Sequence, residues 1–185
     1  MSQTALNALP AQPFRRFRPR LRLRWALAAA VLLAASPAAA QVGQVSGLTV
    51  PRFVSLKSDR VNLREGPSKE HRTAWVFQRA GLPVEITAEY DNWRKIRDSE
   101  GAEGWVLHSL LSGRRTAIVA PWKKGEITPL LASQGEGGTV ANLQSGVIVN
   151  VRRCDKSWCR VSGREFDGFV EQKLLWGVYA NERID

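Results

Sequence analysis

The chain is poor in the residues that hold metals or run covalent chemistry, with two cysteines and two histidines in 185 residues. A metal site needs more ligands than two cysteines and two distant histidines supply. His71 and His108 adjoin no motif that pairs a base with a serine or an ionised cysteine. Acid pairs such as Glu100 with Glu103, or Glu165 with Asp167, fall in hairpin turns. Carboxylates there cap backbone N–H groups and stay in water, whereas glycosidase chemistry needs such a pair in a cleft. A phosphate loop, a dinucleotide fingerprint and a metal-spaced cluster are also missing. These absences argue against an enzyme and predict neither cofactor nor metal. Long apolar runs are lacking too: the stretch over residues 25–35 is eleven residues, where a transmembrane helix needs roughly 20.

That stretch follows six arginines (Arg15, Arg16, Arg18, Arg20, Arg22, Arg24), and the first forty residues carry no acid. Ser-Pro-Ala-Ala-Ala comes next, so residues 1–40 read as a secretory signal peptide cut between Ala40 and Gln41, with an uncleaved anchor as the alternative. Arg15-Arg16-Phe17 matches the twin-arginine pattern only in part, its phenylalanine one place early. Cleavage changes the charge. The whole chain is +10, but removing six arginines and no acids leaves 21 basic and 17 acidic residues, a net of +4. The basicity that would otherwise suggest a nucleic-acid partner is mostly discarded. What is left is a mildly basic periplasmic or secreted protein with no stable membrane span and no sequence signal for an oligomeric state.

Export places Cys154 and Cys159 where a disulfide persists. In C-D-K-S-W-C they bracket four turn-forming residues and are expected to bridge the mouth of a β-hairpin, with buried free thiols or redox chemistry as the alternatives. Val147, Val149, Val151 and Val161 read as inward-facing; Cys159 shares the face of Val161, but Cys154 has the wrong parity. A bulge near Arg152-Arg153 restores it.

The remaining sequence says one thing twice. Trp93 begins W-R-K-I, followed by G-W-V-L-H-S-L-L-S-G; Trp158 begins W-C-R-V, followed by G-F-V-E-Q-K-L-L-W-G. Gly81 aligns with Gly146, Val84 with Val149, Ile86 with Val151, and Gly104 with Gly168 after a one-residue gap. Long solenoids need at least three repeats, so two copies imply two compact domains. Helical periodicity is absent after the leader, and β-branched and aromatic runs are broken by turns every eight to twelve residues, which predicts small all-β units. In the first unit strands are expected near residues 60–64, 74–78, 83–89, 93–97, 104–107 and 116–119. The second unit repeats them near 139–142, 147–152, 159–162, 168–171 and 177–180. The division is then a linker over 41–54, a first domain over 55–119, a connecting segment over 120–127 and a second domain over 128–181. Trp122, on the connecting segment, is expected to pack and fix the two units, with a solvated linker as the alternative.

V-N-L-R-E-G-P-S (residues 61–68), Gly81, N-W-R-K-I, G-W-V and S-L-L together make the first unit resemble the bacterial Src-homology-3-like (SH3-like) domain family. The second copy lacks the Arg-x-Gly-Pro-Ser signature. The resemblance implies two tandem, partly open β-barrels in an exported, non-catalytic binding protein whose partner is a cell-wall peptide or an envelope protein. Residues three apart on a strand face opposite ways, so a buried Ile96 turns Trp93 away from the core, and Val161 does the same for Trp158. In the wider fold an outward tryptophan near this place lines a peptide groove. Trp93, Tyr90 and Trp105 are therefore candidates for an aromatic ligand shelf; the alternatives are that Trp93 packs under the Arg64 loop or the other unit, and that Trp105 packs a barrel corner. Arg64 is either a ligand contact or part of a turn network, Trp158 is the second unit's candidate, and Gly66-Pro67 sets a turn. The alternative function is a scaffold or inhibitor subunit that docks an envelope enzyme through Trp122, Trp176 and Tyr179.

Overall fold

The computed structural model describes residues 41–185, which all lie in one compact unit. The leader and its cut after Ala40 lie outside the described residues. A two-stranded arm, β1 (Gln41–Val42) and β2 (Thr49–Val50), opens the described chain. The first copy follows as β3 (Arg52–Leu56), β4 (Val61–Arg64), β5 (Thr73–Phe77), β6 (Pro83–Tyr90), β7 (Trp93–Arg97), β8 (Glu103–Leu107), a 3-10 turn (His108–Leu110) and β9 (Leu111–Ser112). The second runs β10 (Thr116–Val119), β11 (Ile127–Leu131), β12 (Thr139–Gln144), β13 (Ile148–Asp155), β14 (Trp158–Ser162), β15 (Asp167–Glu171), a 3-10 turn (Gln172–Leu174) and β16 (Leu175–Trp176), and β17 (Arg183–Ile184) pairs with the end of β13.

The two sheets are strand-for-strand copies. One has the order β5-β4-β8-β7-β6-β3-β9 and the other β12-β11-β15-β14-β13-β10-β16, and neither closes on itself. Thr116–Val119 forms the strand the sequence predicts, but in the other sheet: β10 pairs with β13 and β16, as β3 pairs with β6 and β9. The reason is the turn that leads into each strand's partner, β6 or β13. Gly81 and Gly146 adopt φ of +77° and +86°, and each donates its N–H to the last residue of the copy's first strand, Leu56 and Val119, at 2.8 Å. Residues 120–126 are consequently a loop within the second sheet, and the sheets are joined only by 113–115. The closing strand of the second copy is Leu175–Trp176; residues 177–180 form no strand.

Both cores use the expected positions. Val84, Ile86, Ile96 and Val106 are buried in the first, and Val149, Val151, Val161 and Val170 in the second. Gly104 and Gly168 mark where β8 and β15 pass under β4 and β11. A Cβ at Gly104 would lie 2.6 Å from Leu63 Cγ, and one at Gly168 2.7 Å from the Leu131 carbonyl, so no side chain fits at either place.

The expected bulge is present, with the β13–β14 register shifting between Val151 and Arg153, and Cys154 and Cys159 are disulfide-bonded. The first copy has the matching bulge between Ile86 and Ala88. It brings Glu89 opposite Arg94, the very register that Cys154 and Cys159 occupy in the second. An ion pair thus stands where the other copy has a covalent bond. The Glu89 side chain is only 1% exposed and accepts hydrogen bonds from Val45 N, Ser46 N, Ser46 Oγ and Arg52, docking the N-terminal arm.

A second set of contacts ties the sheets together. The Phe53 ring on β3 meets Trp176 edge-on at 5.1 Å between centroids and Tyr179 at 4.7 Å. The Tyr179 hydroxyl donates to Glu85 Oε1 at 2.9 Å, and burial, then this carboxylate, holds its pKa above the ordinary range. Aromatic pairs of this kind contribute about 0.5–1.5 kcal/mol beyond area burial. Trp122 has no part in this: it is 55% exposed, because its loop belongs to the second sheet alone.

Burial opposes ionisation of Glu89, but the hydrogen bonds from Ser46, Arg52 and Val45 outweigh it and lower its pKa from 4.5 to about 2. Because the folded value lies below the ordinary one, the stabilisation is complete above pH 4.5 and is lost as pH falls from there towards 2. Denaturant titrations across that window should show the wild type losing on the order of 3 kcal/mol more than a Glu89→Gln variant.

Candidate functional site

Cross-strand pairing decides which candidates share a surface. Tyr90 pairs with Trp93, Trp93 with Leu107, Lys95 with Trp105, and Trp105 with Arg64, so all of these side chains emerge on the face of the first sheet opposite Ile96 and Val106. The parity argument for Trp93 therefore holds: it stands outside the core cluster. Its exposure differs from the expected shelf, however. Trp93 is 7% accessible and forms the floor of a groove, whereas Tyr90, 59% exposed, and the half-buried Trp105 make an edge-on pair at 6.5 Å beside it.

The groove, about 260 Å³, is lined by Arg60, Asn62, Arg64, Lys69, Trp93, Leu107 and Leu110. Arg60 and Asn62 alternate with the buried Val61 and Leu63 along β4, which is why they reach it. The loop over 65–72 forms its rim. Arg64 holds that loop, donating from Nη1 to the carbonyls of Lys69 at 2.9 Å and His71 at 2.7 Å. The His71 imidazole lies against Gly66, within 2.6 Å of where a Cβ would stand, so it packs on the turn and is not aimed into the groove. Arg60, Asn62, Lys69, Leu107 and Leu110 are groove residues the sequence reading missed. The alternation in R-V-N-L-R was the signal available for Arg60 and Asn62, but only the returning loop and the 3-10 turn bring in the others.

In the second copy Trp158 is half-buried and lies between two concavities. On one side a hollow of about 220 Å³ is lined by Gln134, Arg152, Arg153, Asp155, Arg160 and Phe169 as well as Trp158. Arg160 and Phe169 occupy the places of Lys95 and Trp105, and Leu131 that of Arg64, so the loop clamp is absent from this copy. Trp176 and Tyr179 are turned onto Phe53 of the same chain, so two of the three aromatics expected to dock an enzyme are already packed.

Among the described residues no group of three or more His, Cys, Asp or Glu side chains is placed to hold a metal ion. Among them too, no helix is long and apolar enough to cross a membrane. The chemistry the groove offers is recognition: an indole floor, two aliphatic walls, an amide, and a basic rim.

A family model described as the bacterial SH3 domain matches residues 57–113 and 132–177. No curated protein matches the chain. Among solved structures, the chain is similar to NlpC2 from Trichomonas vaginalis, with 10% identity, a TM-score of 0.31 and coverage of 68% of this chain and 48% of that one. It is also similar to NlpC1 from the same organism, at 12% identity and TM-score 0.31, covering 72% of this chain and 48% of that one. The chain thus spans about half the length of each.

Replacing Arg64 by alanine removes its two hydrogen bonds to the rim and leaves only the Glu65–Arg72 contacts at the base of the loop. The variant should lose about 1 kcal/mol in urea denaturation and show faster amide exchange confined to residues 65–72. Unchanged exchange there would remove Arg64 from its clamping role.

Proposed function

The chain belongs to the bacterial SH3 domain family, and from that premise we propose that it is an exported, non-catalytic module that holds an extended peptide of the cell envelope in the groove floored by Trp93. Bacterial SH3 domains are generally binding modules and are often extracellular, and the Cys154–Cys159 disulfide fits an oxidising compartment. The observation that carries the reading is the combination in one groove of an indole floor with Arg60 and Lys69 at the rim, neither of which has a carboxylate partner among the described ion pairs. An extended segment laid there gains apolar contact from Trp93, Leu107 and Leu110. The free cations favour one bearing carboxylates, such as a cell-wall peptide or an acidic stretch of an envelope protein. Tyr90 and Trp105 extend the same face and provide a place for the segment to continue.

Sedimentation with purified cell-wall sacculi tests this. Arg60→Glu and Lys69→Glu, which leave the core untouched, should each weaken retention by about tenfold, some 1.4 kcal/mol, and Trp93→Ala should abolish it. Retention that ignores the rim charges would overturn the reading for cell wall. Co-purification of one protein in place of sacculi would favour the scaffold alternative.

A further inference from the structure

A wide concavity lies in the second copy, and part of its wall is chain that the family match does not include. It encloses about 600 Å³ and is lined by Trp158 and Leu175 together with Val178, Ala180 and Asn181, whereas the match ends at residue 177. That volume falls within the range of about 300–1,000 Å³ typical of small-ligand sites. The tail that makes this wall is firmly built. The Glu182 carboxylate accepts from Arg115 and from Tyr179 N, and Gln172, itself 4% exposed, donates to the Glu182 carbonyl at 2.9 Å and accepts from Asn181 N at 3.1 Å. Glu171 and Lys173 also line the cavity but pair with each other, and Gln172 is spent as a strut, so the polar side chains left for a ligand are Lys156, Ser157 and Asn181.

Lys156 is the informative residue. It sits at φ +88°, a left-handed conformation that side-chain-bearing residues seldom adopt, apart from asparagine and aspartate. The matching turn residue of the first copy is Asp91, at φ +45°. The second copy therefore has a cation, in a backbone state ill-suited to lysine, at the lip of this cavity. Its ammonium has no carboxylate partner among the described ion pairs, while the neighbouring Lys173 is tied to Glu171.

We infer that this cavity is a second binding site, which takes a short peptide ending in a free carboxylate: the carboxylate against Lys156 and Asn181, the small apolar side chains against Trp158, Leu175 and Val178. The inference goes beyond the groove reading, since it uses no residue of the first copy.

The test is a titration of the purified chain with N-acetyl-Ala-Val as the free acid and as the carboxamide, followed by amide resonances. The free acid should shift residues 156–158 and 178–181 saturably. The carboxamide should bind about tenfold more weakly or worse. Lys156→Asn, which suits the backbone, should weaken the free acid to the same degree, and Lys156→Glu should abolish the shifts. Equal binding of acid and carboxamide, no effect of Lys156→Asn, or shifts elsewhere would each overturn the proposal. Lys69→Glu should leave these shifts unchanged, so a failure here and a failure of the first groove are seen separately.

Discussion

In each copy one cross-strand pair beyond the bulge fastens the longest hairpin, and much else depends on that pair. A unit of about sixty residues buries only about three-fifths of its surface and is marginal by itself. The second copy meets the difficulty with a covalent bond between Cys154 and Cys159, which carries no charge into the interior and is flanked by β17, paired with β13 at Cys154. The first uses Glu89 and Arg94, whose side chains are 1% and 4% exposed. Burying two charges is costly unless their remaining polar groups are satisfied. The N-terminal arm satisfies the carboxylate, and Arg94 Nη1 donates to the carbonyls of Asp91 and Trp93, while its Nε faces Glu89 at 3.5 Å as a charge contact without a hydrogen bond. The ion pair therefore both fastens the hairpin and anchors the arm; a disulfide at the same place has no acceptor to offer the arm.

The duplication also explains how the copies diverged. With the same strand order and glycine turns, the differences concentrate in what surrounds the tryptophan at the start of β7 and β14. In the first copy Arg64 gathers the loop over 65–72 into a rim, and Trp93 becomes the floor of a narrow basic groove. In the second, Leu131 stands in the place of Arg64. There the tail beyond residue 177 walls a wider hollow on the other side of Trp158. The Phe53–Trp176–Tyr179 contact then holds the two surfaces in a fixed relation with only residues 113–115 between the sheets.

Much of this was legible in the sequence because it depends on local rules. Valine alternation gave the buried positions, and the parity of Cys154 required the bulge that the structure contains. The repeated W…G…LL phrase gave two copies of a bacterial SH3-like domain. What sequence reading missed was decided by long-range pairing. Thr116–Val119 reads equally well as the end of one domain or the start of the next, and only its hydrogen bonds to β13 decide. The matching bulge at Thr87 has no cysteine to betray it, and the Glu89–Arg94 pair looks like surface charge until the arm covers it. Trp93 was read correctly as facing away from the core, and its 7% exposure matches the packing alternative that the sequence left open beside the ligand shelf.

The equivalence of the pair at 89 and 94 with the pair at 154 and 159 underlies both copies. Its most direct test is the double variant Glu89→Cys with Arg94→Cys, oxidised and mapped by mass spectrometry of its proteolytic fragments. A second disulfide joining 89 to 94 in a folded chain, with Cys154–Cys159 intact, is the predicted result. Free thiols at 89 and 94 in a folded chain, or cross-links that scramble with Cys154 and Cys159, would contradict it.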